Sequence, residues 1–143
     1  MVEPPRIASP SFADDILPVR GQSTRGLVRT SLDETIQQQL ARDPAELFAY
    51  ALEAVKQSAH GSVLKLRLPQ SSGHCDCFLK VRVIRDPWVL LLRYLGWSRL
   101  HCAWKAAMQF HRMGIFCPQP LAFVSRFQGR EIHEYLLTLA VPE

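Results

Sequence analysis

Alternating hydrophobic and polar residues predict two pairs of β-strands, in the middle and at the end of the chain. Residues 62–68 and residues 75–84 are strand-like runs rich in valine and leucine. The turn-forming residues 69–74 between them predict an antiparallel hairpin with a long loop. Residues 121–126 and residues 131–140 form the second pair, around a short turn that contains a glycine. The pattern therefore predicts an antiparallel sheet.

Helix-start signals precede these strands. Ser31 and the glutamate three residues later match a capping box, which satisfies free backbone donors in the first turn of a helix. Asp43 followed by Pro44 is a second start, with a capping carboxylate and a proline at the first helical position. This second helix could run to Lys56 or give way to a strand near Glu53, and periodicity leaves both open.

Two further helices are predicted between the strand pairs. Residues 87–96 form a short apolar candidate that a proline opens, and Ser98 is placed to cap a longer helix. Gly114 suits the left-handed end of that longer helix. Residues that repeat with a period of 3.6 mark its buried face, namely Leu100, Trp104, Ala107, Met108 and His111.

Length and composition are those of a soluble globular protein, with room for one small domain or part of a larger one. The chain has 143 residues, of which 48% are hydrophobic and 21% charged, and a chain of this size can bury a core without disulfides or a structural metal. Residues 1–30 contain four prolines and are expected to be a mobile or loosely packed leader, with residues 31–143 as the folded domain. No apolar run reaches the roughly 18 residues of a membrane span. The N-terminus lacks the pattern of a secretory signal, so we expect a cytoplasmic protein.

Charge is unevenly distributed along the chain. Residues 1–53 hold eight acidic and five basic residues, whereas residues 54–143 hold five acidic and twelve basic residues. Between Pro87 and Arg130 there is no Asp or Glu at all. Such a segment could attract phosphates, nucleic acid or an anionic membrane surface, or its cations could pair with acids elsewhere in the fold. The six basic residues of this stretch are Arg93, Arg99, Lys105, Arg112, Arg126 and Arg130.

The cysteines are expected to be reduced, since no secretory signal is present. His74, Cys75 and Cys77 form a cluster that could suggest zinc, but the second pair of a structural zinc site is missing. Cys75 and Cys77 alternate with Leu79 as one face of a strand, which favours a core position. The four cysteines are Cys75, Cys77, Cys102 and Cys117.

Three segments, followed by residues 134–142, resemble the bacterial lipopolysaccharide kinase family. The segments are residues 54–69, residues 77–83 and residues 98–122, and the last of these ends in the family-like run G-I-F-C-P-Q-P-L-A. Members of that family phosphorylate 3-deoxy-D-manno-octulosonic acid or heptose in the inner core. The resemblance covers roughly residues 43–142. It implies a protein-kinase-like N-terminal lobe, an α+β unit with an antiparallel sheet of about five strands and one long helix, plus N-terminal helices.

The resemblance implies that Lys80 is the strand lysine that holds the α- and β-phosphates of ATP. A lysine flanked by Phe78, Leu79 and Val81 is costly to bury unless it meets an anion, which agrees with that role. The alternative is an edge-strand lysine that reaches solvent. Phe78 has the same parity in the strand as Lys80 and would face the nucleotide.

The same resemblance assigns the remaining nucleotide contacts. Gly61 and Ser62 belong to a run that would cover the phosphates and contact them through backbone donors, although an ordinary hairpin turn would give the same sequence. Thr138 would lie at the back of the adenine pocket. Leu139 and Val141 would offer backbone groups to the adenine edge.

The chain departs from the family pattern in two respects. Kinase-like lobes pair the strand lysine with a glutamate on the long helix, but the matching position is Ala103 and that helix contains no acid. The catalytic aspartate and the Mg²⁺ ligands of the family belong to a C-terminal lobe that these residues do not match. We therefore expect no phosphoryl transfer by this chain alone, and the sequence leaves its standing as an enzyme open.

The sequence thus predicts an ATP-binding lobe of a lipopolysaccharide inner-core sugar kinase. Its partners would be Mg-ATP and a lipopolysaccharide precursor, with contact to the inner-membrane surface. The alternative is a non-catalytic basic module that binds an anionic membrane or a partner protein. A nucleic-acid partner is not expected, because the sequence contains no recognised reader motif.

Overall fold

The structure, a computed structural model, describes residues 16–59, 61–70, 73–95, 98–115 and 118–140, with the side chain of residue 94 left out. Seven antiparallel strands form one sheet in the order β1-β2-β6-β7-β5-β4-β3. The strands are β1 Ile16–Arg20, β2 Thr24–Arg29, β3 Ala51–Ser58, β4 Gly61–Gln70, β5 Gly73–Ile84, β6 Pro120–Gln128 and β7 Glu131–Leu139.

Four helices accompany the sheet in the described residues, so the α+β class is confirmed. They are α1 Glu34–Arg42, a 3-10 helix over Pro44–Tyr50, α2 Pro87–Tyr94 and α3 Arg99–Arg112. The prediction of about five strands is wrong, because the sheet has seven.

The two additional strands lie in the segment that was expected to be a leader. β1 pairs with β2, and β2 pairs with β6, so residues 16–29 extend the sheet at one edge. Val19 and Val28 are buried in the main core. The expectation of a loosely packed leader is therefore wrong for this part of residues 1–30, and residues 1–15 lie outside the described residues.

The N-terminal helices begin where carboxylates cap them. α1 is capped by Asp33, whose Oδ1 accepts a hydrogen bond from the backbone N–H of Thr35 at 2.9 Å. The predicted capping box at Ser31 is therefore wrong by two residues. The prediction at Asp43 is confirmed, since its Oδ1 accepts from the N–H of Ala45 at 3.0 Å and begins the 3-10 helix at Pro44.

The central hairpins resolve the alternatives that periodicity left open. The strand reading near Glu53 is confirmed and the helical extension to Lys56 is not, because β3 begins at Ala51 and pairs with β4. Two register shifts interrupt β3, which explains why its sequence shows no clean alternation. The loop between β4 and β5 is shorter than predicted, since the ladder continues through the pair Gln70 and Gly73.

The two faces of the sheet are covered differently. One face carries the main core, which packs against α1 and the 3-10 helix through buried residues such as Ile36, Leu40 and Leu47. On the other face, α3 contacts β6 and β7, where Trp104 and Met108 pack against Phe123 and Leu136. None of the described helices is long and apolar enough to cross a membrane.

An ion pair joins the N-terminal helices to the sheet. Oδ1 of Asp43 lies 2.6 Å from Nη1 of Arg126 on β6, and both side chains are half-buried. The same carboxylate caps the 3-10 helix, so one group fixes both the helix start and its position on the sheet. Burial raises the pKa of Tyr135, and the negative charge of Asp43 raises it further.

Candidate functional site

Three of the predicted nucleotide-binding side chains lie on one face of the sheet. In the β5–β7 pair Phe78 is opposite Thr138, and Lys80 is opposite Leu136. Directly opposed residues of antiparallel strands share a face, and every second residue of a strand returns to it. Phe78, Lys80 and Thr138 therefore share the face that α3 partly covers, which we call the α3 face.

The environment of Lys80 differs from the predicted one. The lysine is exposed, so the argument that it is buried and requires an anion is wrong. The alternative, an edge-strand lysine that reaches solvent, is confirmed for the exposure and wrong for the edge, because β5 lies between β4 and β7 in the sheet. Lys80 reaches solvent from a central strand, because α3 covers β6 and β7 and none of the described helices covers the β3–β5 half of this face to the same extent.

This open half of the α3 face combines cations with apolar groups. Val63 is opposite Lys80, and Lys65 is opposite Phe78. Val63, Lys65 and Phe78 are each half-buried, whereas Lys80 is exposed. An apolar floor edged by two ammonium groups suits a ligand that has a flat apolar part and an anionic part.

Gly61 and Ser62 lie inside the sheet. Gly61 pairs with Ser58 on one side and with Arg82 on the other, and Ser62 is likewise paired on both sides. A Cβ on Gly61 would lie 2.3 Å from the carbonyl oxygen of Val81, so close approach of β4 to β5 requires glycine here. The hydroxyl of Ser58 donates to the carbonyl of Gly61 at 3.1 Å, which closes a tight hairpin turn. Phosphate contacts would therefore have to come from the turn that precedes Gly61.

At the predicted adenine edge, Thr138 is buried and its neighbours use backbone donors internally. The N–H of Leu139 donates to the carbonyl of Gln119 at 2.8 Å, and the N–H of Ala140 donates to the carbonyl of Asp76 at 2.9 Å. An adenine contact by Leu139 would therefore have to use its carbonyl. Val141 lies outside the described residues.

The acid missing from α3 has a counterpart on the neighbouring strand. Ala103 is half-buried against the small α3 core and offers no carboxylate. Glu134 on β7 is fully buried, lies opposite Arg82 on the α3 face, and is diagonal to Lys80. Glu134 was not predicted as a partner of Lys80, because kinase-like lobes carry this acid on the long helix. An acid in the middle of a predicted strand, where alternation places it on the same face as Lys80, was the signal that could have revealed it.

Glu134 belongs to a buried polar cluster beneath the helices. The hydroxyl of Ser98 donates to Oε2 of Glu134, while Oε1 is buried and has no hydrogen-bond partner among the described residues. Nη2 of Arg93 on α2 donates to Oγ of Ser125 at 3.0 Å. In the same part of the chain, Nη1 of Arg82 and Nε of Arg93 are likewise buried without a hydrogen-bond partner. The cluster fixes the α2–α3 unit on the sheet, and one atom of each of these three charged groups has no partner within the described residues.

Some of the basic residues between Pro87 and Arg130 have partners in the fold. Arg126 is held by Asp43, and Arg93 is turned onto the sheet at Ser125. Arg99, Lys105 and Arg130 are exposed. Pairing with an acid elsewhere in the fold is therefore confirmed for Arg126, and attraction of an anionic partner by the exposed residues stays a prediction.

Cys75 and Cys77 lie on the strand face that alternation predicts, whereas Cys102 lies on α3 and Cys117 lies outside the described residues. Cys77 is fully buried and Cys75 is half-buried on the main-core face, with their sulfur atoms 3.5 Å apart. Burial raises the pKa of the Cys77 thiol, and Cys75 adds to that effect, so the thiol stays protonated. No cluster of three metal-ligating side chains occurs in the part of the chain that the structure describes.

Two cavities, each of about 340 Å³, lie away from the predicted nucleotide face. One is lined by residues of the β1–β2 turn together with Phe127. The other lies beside the start of α2, between Pro87, Leu90, Arg85 and Arg130. Neither of these two cavities is lined by Phe78, Lys80 or Thr138.

Comparisons with protein-family models, with curated proteins and with solved structures returned no match.

Proposed function

We propose that this chain is the nucleotide-binding N-terminal lobe of a lipopolysaccharide inner-core sugar kinase. The observation that carries the proposal is the position of Lys80, exposed in the middle of a central strand and on the same face as Phe78 and Thr138. A lysine amine in that position can meet the phosphates of ATP, while Phe78 and Val63 give the base an apolar floor.

The order of the elements supports the same proposal. Lys80 lies in the third strand of the meander β3–β4–β5, a long helix follows that strand, and the hairpin β6–β7 completes the lobe. A kinase-like lobe likewise carries its phosphate-binding lysine on a strand that precedes the helix. The turn between β3 and β4 lies at the end of the sheet where Arg82 pairs with Gly61, next to the phosphate side of a nucleotide held by Lys80.

The activity we propose for these 143 residues is binding of Mg-ATP, and a lobe that carries the catalytic aspartate and the Mg²⁺ ligands would complete the site. The lipopolysaccharide precursor would be the acceptor in the completed enzyme. Glu134 lies diagonally across the β5–β7 pair from Lys80. Its Oε1 has no hydrogen-bond partner among the described residues, so this oxygen could accept a hydrogen bond from Lys80 if α3 shifted. Glu134 would take the place of the helix glutamate that is missing at Ala103.

A calorimetric titration with Mg-ATP tests the proposal. We expect measurable binding by the wild-type chain and at least a tenfold loss of affinity in Lys80→Ala, because the amine would be the main phosphate contact. Lys105→Ala is the matched control, since Lys105 is also exposed but lies on α3. Absence of binding, or equal affinity of the wild-type chain and Lys80→Ala, would overturn the proposal.

A further inference from the structure

Two lysines lie on either side of one valine on the α3 face. Lys56 is opposite Val63 in the β3–β4 pair, and Val63 is opposite Lys80 in the β4–β5 pair. Since directly opposed residues share a face, these three residues form a row across three strands, which we call the Val63 row. Neighbouring strands are about 4.8 Å apart, so the backbones of Lys56 and Lys80 are separated by roughly 10 Å. Two extended lysine side chains at this spacing can reach one anionic group above Val63.

The two lysines of the Val63 row have no opposing acid. Both are exposed, and neither belongs to an ion pair within the described residues. Every other lysine or arginine of β3, β4 and β5 lies opposite an acid in the strand pairing. These pairs are Lys65 with Glu53, Arg67 with Asp76, and Arg82 with the buried Glu134. Positive charge without an opposing acid is therefore concentrated on the Val63 row, where it favours an anionic ligand.

The position of the Val63 row agrees with the direction of the proposed ligand. On one side of the row lie Gly61 and Arg82, at the end of the sheet where the β3–β4 turn would cover the phosphates. On the other side lies Phe78, the proposed floor for the base. A nucleotide with its base on Phe78 would therefore extend its phosphates over Val63, between the two ammonium groups.

We infer that Lys56 and Lys80 together bind the phosphate chain of the ligand, one from each side of Val63. The inference rests on the proposed function in taking Lys80 as a phosphate contact, and it adds Lys56, to which the family resemblance gave no role. A lysine ammonium group binds phosphate as a point charge on a flexible stem, so two of them can hold successive phosphates. The site should therefore prefer a chain of two or more phosphates to a single phosphate.

Calorimetric titration of the full chain with inorganic phosphate, pyrophosphate, tripolyphosphate and Mg-ATP tests the inference. We expect tripolyphosphate to bind at least tenfold more tightly than phosphate. Lys56→Gln should weaken the binding of tripolyphosphate and of Mg-ATP at least fivefold, whereas Lys56→Arg keeps the charge and should stay within threefold of the wild-type chain. Since Lys56 is exposed on the edge strand β3, circular dichroism should show an intact fold.

The matched control is Lys105→Gln, which removes one exposed charge from α3 and should change these affinities less than twofold. If Lys80→Ala loses Mg-ATP but Lys56→Gln binds it as tightly as Lys105→Gln does, the inference is overturned and the proposed function stands. If tripolyphosphate binds and Lys56→Gln weakens it, while Mg-ATP does not bind, the phosphate site stands and the proposed function is overturned. If none of the four compounds binds, both are overturned.

Discussion

The hydroxyl of Ser98 donates a hydrogen bond to the buried carboxyl group of Glu134, and so joins the start of α3 to the central part of β7. The same oxygen of Ser98 accepts from the backbone N–H of His101 at 3.2 Å, as the cap of the helix. One hydroxyl thus begins the helix, positions it on the sheet and partners an acid that has no exposure to water.

Ser98→Ala is expected to lower the free energy of unfolding by about 2–4 kcal/mol. Loss of a cap costs roughly 1 kcal/mol, and removing a donor from a buried carboxyl group adds about 1–3 kcal/mol. Urea denaturation followed by circular dichroism measures the change. Ser58→Ala is the control, because its hydroxyl bonds to Gly61 at an exposed turn and should cost less than about 0.5 kcal/mol. Equal values for the two variants would contradict this account of Ser98.

Gly61→Ala is expected to destabilise the protein even without nucleotide, by about 1–3 kcal/mol. A Cβ at this position would lie 2.3 Å from the Val81 carbonyl oxygen, and the strands must separate to admit it. Thermal unfolding without ligand measures the effect. If the glycine served phosphate binding alone, stability would be unchanged and only the Mg-ATP affinity would fall.

Stability should decrease as the pH falls from 7 to 5 because of His101. Burial against Phe123 lowers the pKa of His101, and the nearby charges of Lys105 and Arg93 lower it further. The folded state therefore binds fewer protons than the unfolded state, whose histidine titrates near 6.5. The stabilising contribution is complete above that pH and is lost as the pH falls through the lower, folded value.

Urea unfolding at several pH values measures this slope in the wild-type chain and in His101→Gln. The variant cannot take up the proton, so its slope between pH 7 and pH 5 should be smaller than that of the wild-type chain. Identical slopes would show that another group controls acid stability.

Local signals predicted the four helices and the strands β4 to β7, left β3 open between helix and strand, and missed β1 and β2, which long-range pairing decides. Asp43, Ser98 and Gly114 mark helix ends by chemistry that acts within a few residues, and each is confirmed, the last by its φ of +74°. β1 and β2 were missed because Pro18 and several polar residues hide the alternation. These strands form because β2 pairs with β6. The two strands are far apart in the sequence, so a short stretch of residues does not reveal the pairing.

The face shared by Phe78 and Lys80 followed from strand parity, but the exposure of Lys80 did not. Parity is a property of one strand, whereas exposure depends on which half of the sheet α3 covers. The same limit applies to Glu134, whose burial comes from the packing of Ser98 above it. The exposure of Trp88 on α2 was also missed. An apolar helix has the same sequence pattern whether its side chains are buried or exposed.

Acetylation of lysines in the presence and absence of Mg-ATP tests the central claim most directly. The chain has four lysines, and Lys80 and Lys105 are both exposed on different elements. We expect saturating Mg-ATP to slow acetylation of Lys80 at least fivefold and to leave Lys105 unchanged, as measured by mass spectrometry of the peptides. Equal acetylation of Lys80 with and without the nucleotide would contradict a nucleotide site on this face of the sheet.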